Sequence, residues 1–511
     1  MPPARYRTLT PRHALLAAAA LACVHGAQAQ GVSGLRLTPT LDVETVYTET
    51  RGRVADNGRE AMGRLAPGLR VSGSSGSVRG SLDYSGSLIY RAGRDATQGR
   101  EWQNALSAAF LVEAVPNWAF VDTKASISQQ AASAFGQQSA QGSLQANANR
   151  NEVSTVSVSP YVRGSLAGWA DYEVRLQGGL SDSRDPTVAD SRDSSALVSL
   201  KSPSRGTVFG WGLTASQERS ELDNQPDRPL ENSRVNATLR INPSPEARFA
   251  LSAGREAVND GTLAERLVTN TASLSFEWAP SPRTSLQAEI GERYFGRSKR
   301  VNFSHRSART VWTYSLLRDV QTSADARSFG NTVSLFDLFY QQAASLVPDP
   351  DQRRQFVLAQ LAGLGLDPNQ VLVNTATTSG FSVNYRQDLS VGWSGLRTTF
   401  TVQAFTNTQN RIVTLAGGDP LLDEPIRQSG YSSTLSYKLT PQTAVTFGGQ
   451  RLMTLGNATQ AGTDLKSANA GITSQLGLRT SASLVARYTV FNSPTEPYRD
   501  TSLSASLGLR F

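Results

Sequence analysis

From Thr501 to Phe511 the chain alternates, with Leu503, Ala505, Leu507, Leu509 and Phe511 on one side and Ser502, Ser504, Ser506, Gly508 and Arg510 on the other. Successive side chains of a strand point to opposite faces, so this period predicts a strand with one apolar face and one small or polar face. The rhythm recurs along the chain. Tyr172, Val174 and Leu176 oppose Glu173, Arg175 and Gln177; Val235, Ala237, Leu239 and Ile241 oppose Arg234, Asn236, Thr238 and Arg240. Ala272, Leu274, Phe276 and Trp278 oppose Ser273, Ser275 and Glu277, and Leu286, Ala288 and Ile290 oppose Gln287 and Glu289. Near the end Tyr431, Leu435 and Tyr437 oppose Ser432, Thr434 and Lys438, and Leu484, Ala486 and Tyr488 oppose Ser483, Arg487 and Thr489. Two residues break the pattern: Glu292 falls on an apolar face and Val485 on a polar one.

Short turn signals separate these segments: SGSSG (72–76), AVPN (114–117), AGW (167–169), SPSRG (202–206), NPSP (242–245), PSPR (280–283), SHRSAR (304–309), TPQT (440–443) and RTS (479–481). A tenth turn is expected within Asp388–Leu396. Longer polar stretches such as DSRDPTVADSRD, RSELDNQPDRPLEN and NATQAGTDLK lie between them and read as loops. Alternating short and long connections between strands that are apolar on one face describe an antiparallel up-and-down transmembrane β-barrel of about 22 strands, with about 18 to 20 as the alternatives. Trp118, Trp169, Tyr172, Trp278 and Tyr294 fall near strand ends, where interfacial girdles belong. A secreted β-sandwich or β-helix is the competing architecture, since it too would alternate.

The rhythm fails once, over 323–380. Phe336, Phe339, Tyr340, Ala343 and Ala344 recur at helical spacing after Asn331; Pro348 and Pro350 punctuate; Phe356, Leu358, Leu361 and Leu364 follow. The expectation is a helical hairpin inserted in one external loop. Either its helices pack against each other on the barrel rim, or they fold into the mouth, with Phe336, Phe339, Tyr340, Phe356, Leu358 and Leu361 as a loop gate.

Composition sharpens the address. With 39% hydrophobic residues and a mean hydropathy of −0.32, and no run of 18 apolar residues after residue 30, helical spans are excluded while a barrel is not. Arg5, Arg7 and Arg12 precede an apolar run from Ala14 to Cys23 and then Ala27-Gln28-Ala29, so residues 1–29 read as a secretory signal peptide and 30–511 as the barrel. Cys23 as a lipoprotein site is the alternative, weakened by Ala20 where leucine is usual. Cleavage would remove the single cysteine together with His13 and His25, leaving His305 as the one histidine. The 50 basic and 42 acidic residues become 47 against 42 once the three leader arginines go, a net of +5. So mild an excess gives no reason to expect a nucleic-acid partner.

Catalysis finds little to work with. His305 shares a face with Val301 and Phe303, which suits packing better than acid–base chemistry, and no G-x-S-x-G elbow, metal cluster or phosphate loop is present. No cofactor is expected, and an outer-membrane hydrolase is the weakest of the functional readings. The polar faces supply the candidate pore lining: Glu173, Arg175, Gln177, Arg234, Arg240, Gln287, Glu289, Arg386, Lys438 and Arg487. Mixed charges and amides predict a hydrated interior with weak ion selectivity. The first strand is expected near Leu35, which leaves no room for an N-terminal plug.

The closing strand, ending on Phe511, resembles the assembly signal of bacterial outer-membrane barrels and implies the barrel-assembly machinery as a partner, beside outer-membrane lipid and lipopolysaccharide. LAPGLRVSGSSGSVRGSLDYSGS (65–87), NWAFVDTKASISQQAASAFGQQS (117–139) and FSHRSARTVWTYSLLRDV (303–320) resemble the outer-membrane proteins associated with exosortase/PEP-CTERM sorting systems of Gram-negative bacteria. That resemblance implies a setting, exopolysaccharide production and surface-protein sorting, rather than a reaction. The resulting expectation is a pore or assembly component, with a non-conducting scaffold as the alternative.

Overall fold

The computed structural model describes residues 35–511 apart from 53–57, 94–99, 141, 204–207, 260–265, 322–334, 344–346, 348, 364–381 and 412–424. The segment 1–29, read above as a signal peptide, lies with Cys23, His13 and His25 outside the described residues, as do Asn331, Ala344 and Leu364 of the helical insertion.

Twenty-two strands form one antiparallel sheet in which each pairs with its neighbours in sequence and the first pairs with the last. They run from β1 (Leu35–Arg51) and β2 (Gly58–Ser75) through β3 (Val78–Gly93), β4 (Arg100–Val115), β5 (Ala119–Ala131), β6 (Arg150–Leu166), β7 (Ala170–Ser183), β8 (Ser191–Lys201), β9 (Phe209–Leu222), β10 (Gln225–Ser244) and β11 (Ala247–Asn259). The second half comprises β12 (Leu267–Ser281), β13 (Thr284–Arg293), β14 (Gly296–Arg306), β15 (Thr310–Gln321), β16 (Ser382–Ser394), β17 (Thr398–Arg411), β18 (Ile426–Lys438), β19 (Thr443–Leu455), β20 (Thr463–Gln475), β21 (Thr480–Asn492) and β22 (Tyr498–Arg510). Closure runs from Thr40 opposite Arg510 to Arg51 opposite Arg499, and the Phe511 amide donates to the Pro39 carbonyl at 3.0 Å. A ring without free edges leaves no backbone group unpaired toward lipid, which is the condition for a β-structure to cross a membrane. The ring seals, so the sandwich and β-helix readings fall.

The register fixes the faces. Leu41 sits opposite Leu509 and Val43 opposite Leu507, all outward, while Val46 and Met62 are buried inside. Carried round the ring, the outward set includes Leu176, Val235, Leu251, Leu274, Ile290, Leu389 and Leu484, all exposed in the isolated chain because lipid covers them in the membrane. A closed barrel with an apolar outer belt belongs in the bacterial outer membrane, where short turns are periplasmic and long loops external.

At the periplasmic end Trp118, Trp169, Tyr172 and Trp278 all point outward. The Trp118 indole donates to the Tyr172 hydroxyl at 2.8 Å, and Trp169 stacks on Trp211 at 5.9 Å. The Tyr172 ring lies across Gly164, where an added Cβ would come within 2.8 Å of its hydroxyl. Gly164→Val should therefore push the ring off its seat and break its bond to Trp118, costing about 1–3 kcal/mol, measured as a lower midpoint for urea unfolding in detergent. The adjoining turn places Ala167 (φ 48) and Gly168 (φ 78) both in the left-handed region, the requirement of the hairpin turn whose twist matches its strands.

Some expected boundaries shift. Asp388–Ser394 belongs to β16 and the turn follows at 395–397, because Trp393 and Val391 keep the alternation that Gly392 interrupts only in composition. RSELDNQPDRPLEN is mostly strand, β9 and β10 meeting across Asp223 and Asn224; polarity there marks strands rising above the membrane rather than a loop. The two pattern breakers also resolve. Glu292 does point outward, but at the external tip, 3.7 Å from Arg297, and Val485 faces the lumen beneath an inserted loop.

Candidate functional site

All ten candidate lining residues take inward positions in the register: Glu173, Arg175 and Gln177 on β7, Arg234 and Arg240 on β10, Gln287 and Glu289 on β13, Arg386 on β16, Lys438 on β18 and Arg487 on β21. Many inward charges are neutralised by neighbours. Arg175 bonds Glu173 at 2.9 Å and Asp122 at 3.1 Å, its guanidinium 3.8 Å from the Tyr161 ring centroid. Arg64 meets Glu44 at 2.8 Å and Arg70 meets Asp83 at 2.6 Å. Arg386 forms a fork with Asp388 at 2.7 and 2.8 Å, and Arg293 is held by Glu256, which is fully buried, and by Asp319. Paired charges among hydroxyls and amides leave a wettable wall.

The helical insertion enters this space. Helix α1 (Leu335–Ala343) and helix α2 (Pro350–Gly363) pack through Phe339, Ala343, Val357 and Leu361, with Phe336 and Tyr340 against them, their rings stacked at 5.5 Å. The hairpin touches opposite walls. α1 lies against β15 and β16, with Gln341 accepting from Ser304 of β14 at 3.4 Å; α2 approaches β20, and Arg354 donates to Ser81 of β3 at 3.1 Å. Ser304 and Ser81 each lie within four residues of a periplasmic turn, so the hairpin reaches the lower part of the lumen. Of the expected gate residues, Phe339 and Leu361 are buried, Leu358 is half-buried, and Phe356 is exposed, Val357 taking its place in the core. The helices bury their apolar stripes in each other, and the pair stands inside the barrel rather than on its rim.

A second insertion escaped the sequence reading. The described residues of 132–149, between β5 and β6, fold inward near the external end. Leu144 packs into Val46, Met62 and Ile89, and its carbonyl accepts from Arg91 at 2.9 and 3.2 Å. Gln145 donates to Thr50 at 2.9 Å, Tyr498 to the Gln138 carbonyl at 2.5 Å, and Thr454 to the Ala134 carbonyl at 3.1 Å, with Ala134 against Ile426. A buried loop must satisfy its own backbone. Here amides do so: Asn149 accepts from the Ser133 N–H at 2.7 Å and donates to the carbonyls of Ser133 and Gln137 at 2.8 and 3.1 Å, and Asn147 donates to Gln137 at 3.0 Å. A small cavity beneath it is lined by Glu44, Val485, Arg487 and Asp500. The one sequence signal was a run of Gln, Asn, Ser and Ala without alternation, which reads equally well as an exposed loop.

The anchors just named fall on β1–β3, β14–β16 and β18–β22. The remaining arc, β7–β13, carries Glu173, Arg175, Gln177, Arg234, Arg240, Gln287 and Glu289 on its inner face. His305 stands apart from all of this: opposite Trp312 on the outer face, its Nδ1 lies 2.8 Å from the Thr284 hydroxyl. Among the described residues no group of three or more His, Cys, Asp or Glu could hold a metal.

No family model and no curated protein matches the chain. Solved structures resemble it in overall barrel form. A ferric enterobactin receptor mutant of Pseudomonas aeruginosa is 12% identical, with 93% of this chain and 80% of that one covered at a TM-score of 0.46. An iron transporter of Neisseria meningitidis is 11% identical over 92% and 81% at 0.46, and the P. aeruginosa protein OccK5 is 11% identical over 93% and 98% at 0.34. These are likenesses of architecture and say nothing of cargo.

Proposed function

We propose that the protein is a narrowed outer-membrane conduit for a polar polymer, working with exopolysaccharide production and PEP-CTERM-type surface sorting. The setting comes from the sequence resemblance. The observation that carries the conduit itself is the β7–β13 arc, a run of inward amides, hydroxyls and charges such as the paired Arg175 and Glu173, on which none of the insertion contacts named above falls. Such a surface offers many weak, exchangeable hydrogen bonds and no deep site, which lets a hydroxyl-rich chain slide without being trapped. A clean deletion should lower cell-surface polysaccharide while leaving its cytoplasmic precursors intact. Unchanged surface polysaccharide would remove the conduit reading.

The occupied lumen favours a second reading, a non-conducting scaffold whose long external strands and loops bind surface partners. Purified protein in planar bilayers separates the two. A conduit gives discrete current steps that soluble oligosaccharide reduces, and a scaffold gives none.

A further inference from the structure

The outer face of the barrel is electrically lopsided. Among the described strand residues, outward-facing charges lie only toward the external ends, for example Arg219, Arg255, Lys299, Arg318 and Arg451; the periplasmic ends show Trp, Phe, Tyr and Leu at the same positions. Two of these cations have local carboxylates, Arg219 with Glu221 and Glu231 at 2.7 and 3.0 Å and Arg451 with Asp464 at 2.9 Å, and Arg255 meets the Asn270 amide oxygen at 3.4 Å. One group does not. Lys299 of β14 stands directly opposite Arg318 of β15, two like charges side by side on the lipid face. Lys299 has no hydrogen-bond or ion-pair partner among the described residues, and Arg318 spends one N–H on the Arg297 carbonyl while lying 5.6 Å from the Phe295 ring centroid. Arg297 adds a third cation on that face, with only Glu292, 3.7 Å away and 71% exposed, to offset it. Asp319, next to Arg318 in sequence, points into the lumen and is taken by Arg293 and Arg300, and Glu289, next to the Ile290 that pairs with Lys299, also faces inward.

Like charges opposite each other in a ladder oppose pairing, and unneutralised charge toward lipid is costly. The depth adds to the difficulty. At roughly 3.3 Å per residue and a tilt of about 40°, Arg318 stands only about 15 Å above the girdle residue Trp312, short of the usual apolar band of about 25 Å. The hairpin β13–β14 is also short, with strands of 10 and 11 residues. An anion bound to Lys299 and Arg318 on this face would therefore sit low in the outer leaflet.

We infer that Arg297, Lys299 and Arg318 form a binding site for the phosphorylated headgroup of an outer-leaflet glycolipid, of the lipopolysaccharide class. A phosphate presents three oxygens to two guanidinium groups and an ammonium, relieves the repulsion between Lys299 and Arg318, and lets its acyl chains lie along Val301, Phe303, Tyr314 and Leu316 below. The source is a lipid rather than free phosphate because the cluster opens onto the apolar belt and not onto the lumen.

The full barrel, purified in detergent and reconstituted in nanodiscs with and without lipid A, provides the test by native mass spectrometry. Wild type should retain lipid A, and the triple variant R297Q/K299Q/R318Q should lose about tenfold or more of it, the equivalent of one charge-assisted contact. The inward control K438Q should retain it fully. Heat-modifiable migration reports folding; should the triple variant misfold, lipid A stripped of its phosphates serves on wild type and should bind as poorly as the variant binds intact lipid A. Equal retention by variant and wild type, equal retention of dephosphorylated lipid A, or full displacement by inorganic phosphate or by phosphatidylglycerol would each overturn the site.

Discussion

Excising residues 331–367, joined by a short Gly-Ser linker, should raise single-channel conductance several-fold. The hairpin bridges opposite walls, from β14–β16 to β3 and β20, and its core of Phe339, Ala343, Val357 and Leu361 is complete in itself. Removing a self-contained unit leaves no uncovered apolar seat on the barrel wall, so the ring should still assemble. A barrel of 22 strands encloses more space than its own side chains fill, and the cross-section freed is water-filled. Planar-bilayer recordings of wild type and deletion, each checked for heat-modifiable migration, decide the matter. Identical conductance would mean that the hairpin does not limit the flow.

Leu144→Asp should have the second large effect, at the other end of the lumen. The substitution sets a carboxylate among the buried Val46, Met62 and Ile89, at a cost of about 3 kcal/mol. The cheapest relief is release of residues 132–149 from the wall, with loss of the Gln145–Thr50 and Tyr498–Gln138 bonds. The readouts are proteolytic nicking between β5 and β6 and uptake of a bulky antibiotic by whole cells. Since the loop narrows the external part and the hairpin the lower part, their resistances act in series. Either change alone should be limited by the obstruction that remains, and the two together should exceed the sum of the separate gains. Strict additivity would show two parallel paths instead.

The barrel was legible because its physics is periodic. Leu503–Phe511 and Val235–Ile241 announce their faces in the sequence, and the turn at Ala167–Trp169 fell where it was expected. The inward placement of Arg175, Arg240 and Arg487 followed from the same count of two. The lumen's contents were less so. Phe339 and Leu361 declared a helical stripe, but nothing in a stripe says what faces it, and Phe356 beside Val357 illustrates how one position of rotation changes which side chain is buried. The 132–149 loop was silent, because a segment buried through amides and backbone carbonyls has the composition of one bathed in water. Its anchors lie up to 360 residues away, at separations that no local pattern encodes.

Those anchors bear on how the cylinder could ever unzip. Thr50 belongs to the first strand and Tyr498 to the last, and the same loop grips both from within, one through Gln145 and the other through the Gln138 carbonyl. The join between the chain's two ends is thus clasped as well as laddered. Sideways escape of a passenger into the bilayer would meet its stiffest resistance there, and the clasp can engage only after the final strand has arrived.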